Sequence, residues 1–108
     1  MDDIDYSAGA QNLDSLVEYQ QGAVVSRTLI KKEAGTVTLF AFEKGEELSE
    51  HTAPFDAFVY ILEGNVHIFI DKKRKELSSG QMIIMPAGRP HALKAADRFK
   101  MLLVLVKK

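Results

Sequence analysis

Cysteine and tryptophan are absent from this 108-residue chain, and prolines number only three. Without thiols there can be no disulfide, no thiolate nucleophile and no zinc–thiolate centre. Excess charge is missing too. Fourteen basic residues against fifteen acidic ones leave a formal net charge of -1, so the basic field that nucleic acid demands is not there. Nucleic acid is therefore not an expected partner. No apolar run approaches the roughly 20 residues of a membrane-spanning helix, and residues 1–6 are acidic where a secretory leader would be basic. Neither a membrane span nor a leader is expected, which makes the cytoplasm the expected location.

What is present suits one compact core. A hydrophobic share of 46% beside 27% charged residues is that of an ordinary globular chain rather than a disordered one, and 108 residues make one domain, 1–108. Residues 1–12 carry no periodic apolar pattern and are expected to be loosely held. Leu13, Leu16 and Val17 follow at helix-like spacing, over a stretch too short to be helical without support, so a turn of helix and an edge strand both fit.

From Gly22 onward the periodicity is that of strands. Residues 23–30 (AVVSRTLI) and 36–43 (TVTLFAFE) read as a hairpin around a turn at 31–35. The second of these is apolar on both parities, with Val37, Leu39 and Ala41 on one face and Phe40 and Phe42 on the other. Its outer face must therefore be covered, by a second sheet of the chain or by another subunit. Residues 101–106 (MLLVLV) make the same demand. Val66, Ile68 and Ile70 alternate with His67 and Phe69, and a charged turn at 71–75 reverses the chain. Short strands separated by turn signals specify an all-β barrel or sandwich.

Two stretches carry the functional signal. Residues 45–64 (GEELSEHTAPFDAFVYILEG) place His51 before a break at Pro54, followed by a strand expected to end at Gly64. Gly80 to His91 (GQMIIMPAGRPH) repeats the design of glycine, apolar strand, turn and one histidine. These stretches resemble the two motifs of the cupin family. Gly45, His51 and Gly64 fall on the first motif, and Gly80, Pro86, Gly88 and His91 on the second, which spans 80–95. The resemblance implies a single cupin jelly-roll β-barrel of the RmlC-like kind, commonly paired as a homodimer through its strands. It also implies four metal ligands, and here the sequence departs: Ala53 and Ala57 stand at two ligand positions, and Ala95 replaces the asparagine that ends the second motif.

The candidate site follows from what remains. His51 and His91 are expected to form the polar focus of an apolar barrel, with Val59 and Ile61 lining it and Arg89 at its rim, poised for a carboxylate or phosphate. A divalent transition metal ion usually takes three or more protein ligands. His51 and His91 would need Asp56 as a third, since Glu50 adjoins His51 and points the other way, and His67 has the wrong parity. Tyr60 faces away from the cavity by parity, while Met82, Met85 and Met101 are expected as core fillers. Two readings result. One is a binding protein for a small polar or partly apolar ligand with no cofactor; the other is a metal-dependent oxygenase or isomerase using the two histidines.

Overall fold

The computed structural model describes residues 6–107; the expectation of a loose segment lies outside the described residues for positions 1–5. Eight strands follow two short 3-10 turns, Tyr6–Ala8 and Leu13–Ser15. They are β1 (Val24–Lys32), β2 (Gly35–Phe42), β3 (Glu47–His51), β4 (Asp56–Ile70), β5 (Lys73–Ser78), β6 (Met82–Met85), β7 (His91–Lys94) and β8 (Phe99–Val106). All pairings are antiparallel. One sheet runs β1-β2-β8-β4-β6 and the other β3-β7-β4-β5. The result is the expected all-β jelly-roll barrel, and the β1–β2 hairpin stands where β-branched residues and the turn signal place it.

β4 belongs to both sheets. Its first half pairs with β6 and β8, and its second half with β5 and β7. The strand therefore does not end at Gly64, as the sequence suggests; it bends there and crosses from one sheet to the other. A glycine is required at the bend, because φ is +86° and a Cβ would lie 2.0 Å from the Arg98 carbonyl oxygen. The turn expected at 71–75 is also shorter than read. Asp71 and Lys72 alone make it, both at positive φ, and Lys73–Ser78 extends as β5. Two left-handed residues in succession match the twist of a tight hairpin, which leaves the lysines after them free to pair.

Inward-facing side chains of both sheets form the core. Ala57, Val59 and Ile61 from one half of β4 meet Val66, Ile68 and Ile70 from the other, together with Phe42, Leu93, Phe99 and Met101. The Phe42 and Phe99 rings stack with centroids 4.6 Å apart. A second, smaller cluster answers the question raised by β2. Leu39 and Ala41 on its outer face are covered by Leu13, Leu16, Val17 and Tyr19, so the N-terminal segment does part of what the sequence assigned to a second sheet or another subunit. Tyr19 donates to Glu63 Oε2 at 2.5 Å and Lys100 Nζ to the Asp14 carbonyl at 2.5 Å. Arg98 stacks over the Tyr19 ring while binding Glu43 through two nitrogens. These polar contacts fasten the segment as a strap.

Candidate functional site

β3 and β7 pair in a register that sets His51 directly opposite His91. Each histidine lies beyond turn chemistry: Gly45 at φ +87° opens the approach to β3, and the turn carrying Gly88 at φ +76° leads into β7. Cross-strand neighbours on one face lie within side-chain reach, and the two imidazole centroids are 4.4 Å apart at an interplanar angle of 71°. His91 is buried and His51 exposed, so the pair stands at a mouth with one ring inside it. The expected pairing of the two histidines is what the fold builds.

Both rings are held in the same way. His51 Nδ1 lies 2.8 Å from the Ser49 carbonyl oxygen, and His91 Nδ1 lies 3.2 Å from that of Arg89. Burial lowers the pKa of His91 from its ordinary value, and proximity to His51 lowers it further, against an opposing contribution from the Arg89 carbonyl. Behind the rings is a cavity of about 150 Å³. Leu48, Phe55, Met85, Met101, Leu103 and Leu105 give it apolar walls, and Ala53 and Ala57 widen it. Apart from the two imidazoles, no polar side chain lines it among the described residues.

Several expected participants lie elsewhere. Val59 and Ile61 share the inward face of β4 with Ala57, but they are sealed in the core and neither touches the cavity. Arg89, expected at the rim, does not line the cavity; its Nε donates to Asp71 Oδ2 at 2.6 Å, so its guanidinium is engaged by a carboxylate of the chain itself. Asp56 accepts from the Ala87 amide at 2.9 Å and thereby clips the β6–β7 turn to the start of β4. It does not join the histidines. His67 faces out, 3.5 Å from Glu76. Of the three methionines read as core fillers, Met85 and Met101 are buried and also form cavity wall, whereas Met82, on the outward parity of β6, is exposed. The apolar parity of 101–106 was the signal for Leu103 and Leu105; nothing local in the sequence marked Leu48 or Phe55 as lining.

A divalent ion does not fit this donor set. No cluster of three or more His, Asp, Glu or Cys side chains capable of holding a metal occurs among the described residues, and no carboxylate lines the cavity to offset two positive charges. Asp56 would have to leave the Ala87 amide to serve as the third ligand.

The comparisons agree with this architecture. The family model described as "Cupin domain" matches residues 38–106. A conserved protein of unknown function from Streptococcus pyogenes has 41% identity over 99% of this chain and 93% of its own, with a TM-score of 0.92. A cupin 2 conserved barrel domain protein from Leptotrichia buccalis has 42% identity and a TM-score of 0.87 over 90% of this chain, which spans 47% of that protein. A cupin superfamily protein from Desulfitobacterium hafniense has 30% identity over 94% of this chain and 93% of its own, at a TM-score of 0.89. No curated protein matches the chain. With both motif histidines paired at the barrel mouth and the family model matching more than half its length, the chain belongs to the cupin domain family.

Proposed function

We propose that this cupin is a binding protein that holds a small polar or partly apolar molecule in its barrel without a metal ion. The observation that carries this reading is the cavity of about 150 Å³ behind the histidine pair, apolar on all sides but one. Pockets of this kind bind through apolar walls and are oriented by a few polar groups. A cavity of similar volume is known to accept benzene, so the ligand, or the part of it that enters, has roughly six to nine heavy atoms.

The test is to identify what travels with the protein. Untagged material is denatured, and the released small molecules are compared by mass with those from an Ala53→Leu variant, whose added carbons intrude on the cavity. A compound present at about one per chain in the parent and lost in the variant is the expected result. If nothing is released and apolar probes of benzene size do not raise the melting temperature, the reading fails.

The same proposal includes a homodimer. The sheet register aligns Ile30, Val37, Val104, Phe58 and Ile84 in one row across five strands, on the outer face next to the area covered by the strap. A second copy of this chain is the occupant that this row fits.

A further inference from the structure

The hydrogen bonds behind the two rings determine what the site can recognise. A carbonyl oxygen only accepts, so each Nδ1 that faces one must carry the proton. In the neutral imidazole this leaves Nε2 of both His51 and His91 as an acceptor. None of the described residues has a side-chain nitrogen or oxygen that is both sealed from solvent and unpaired. His91 Nε2, which has no partner among the described residues, is therefore not sealed, although the residue is only 5% exposed, and the ring that carries it lines the cavity. The polar end of the cavity thus presents acceptors and no side-chain donor. Burial keeps His91 on the neutral side near pH 7.

Three classes of ligand head can be compared with that arrangement. A carboxylate or phosphate would bring more acceptors to acceptors, and Arg89, the nearest cation in sequence, is already bound to Asp71. An ammonium group would find lone pairs but no counter-charge, and leaving water uncompensated is costly. An uncharged O–H or N–H group satisfies the lone pairs without importing a charge. We propose that the ligand carries an uncharged hydrogen-bond donor, a hydroxyl or an NH2, on an apolar body about the size of a benzene ring, with the donor directed at Nε2 of His51 and His91. This rests on the reading of the cavity as a binding site.

Four probes within the size the cavity admits, phenol, aniline and toluene with about seven heavy atoms and benzoate with about nine, separate the possibilities when titrated calorimetrically at about pH 8, where an ordinary imidazole is neutral. Phenol and aniline are expected to bind about tenfold more tightly than toluene, the effect of one hydrogen bond in a poorly solvated site. Benzoate is expected not to bind. In His51→Leu and in His91→Phe the preference for phenol over toluene should shrink severalfold while toluene still binds. His51 is exposed, so its variant supplies the measurement even if the buried His91 cannot be replaced without unfolding. Equal affinity for phenol and toluene, or a preference for benzoate, overturns the assignment of the head group and leaves the apolar site standing. Failure of all four probes to bind overturns the site as well.

Discussion

Ala57 has a methyl group on the inward face of β4 at the cavity wall, where a longer acidic side chain would enter the space between the walls and the histidines. Ala53 stands on the other side of Pro54 and also touches the cavity. The double variant Ala53→His, Ala57→Glu is therefore expected to take up roughly one transition ion per chain, as a three- or four-ligand set does, while the parent protein retains far less than one; elemental analysis of both, prepared identically, decides the matter. A second prediction concerns pH. The folded pKa of His91 lies below its unfolded value, so the unfolded chain binds more protons and stability falls as pH drops below about 6.5, the ordinary histidine value. His51 is the titratable side chain facing it across the strands, and no acid lines the cavity to reverse the sign. Urea midpoints should decline between about pH 7.5 and pH 5.5, and the decline should flatten in His91→Leu. It is separable from the loss expected below about pH 4.5, the ordinary carboxyl value, where the unfolded chain protonates Glu43 while the bond to Arg98 still holds that carboxyl ionised in the folded one. At this scale the sequence revealed the two histidines, because motif spacing fixes them. It did not reveal the carbonyls behind their rings, which depend on the local backbone path, or that Arg89 and Asp56 are engaged elsewhere, since these last two contacts join residues 18 and 31 positions apart.

β4 is the element on which the barrel turns, and its bend sets the halves of the core against each other. Gly64→Ala would place a methyl against the Arg98 carbonyl oxygen at 2.0 Å and demand φ +86° of an alanine; a loss of about 3 kcal/mol is expected from strain and clash together. Gly45→Ala is the control, since φ there is +87° but nothing lies within 4 Å, and the backbone term alone costs about 1 kcal/mol. Chemical denaturation of both variants separates close approach from conformation: equal losses would mean that the bend at Gly64 tolerates a side chain. The strap offers a smaller effect. Tyr19→Phe removes the donor to Glu63 and should cost about 1 kcal/mol by the same measurement. Most strands were legible from alternation and turn residues. The continuity of β4 was not, because a glycine that ends a strand and one that bends it look alike in sequence. The strap was not legible either, since Leu13, Leu16 and Val17 have helix-like spacing without the length to form a helix, and their partners Leu39 and Ala41 lie more than twenty residues on.

The molecule as a whole presents two apolar surfaces in its sheet of five strands, the inner one closed over the core and the outer one only partly covered by the strap. Ile30, Val37, Val104, Phe58 and Ile84 remain aligned beyond the strap, with Ile30 51% and Ile84 46% exposed. Such a row is costly to leave in water at roughly 25 cal/mol per Å². It contains no charge that would select a partner of opposite sign, whereas a two-fold contact needs only that one patch match itself. The proposed dimer should therefore sediment at twice the 12.0 kDa of the chain, and its association should be little changed by salt, because screening acts on charges and this row has none. Val104→Lys places a cation near the middle of the row and Ile84→Lys one at its end. Both should give monomers that stay folded, since each side chain points away from the core, with Val104 the more disruptive because its neighbours on either side, Val37 and Phe58, would close over the ammonium group. A parent protein that sediments as a monomer at tens of micromolar, or a dimer indifferent to both substitutions, would assign the row to some other role.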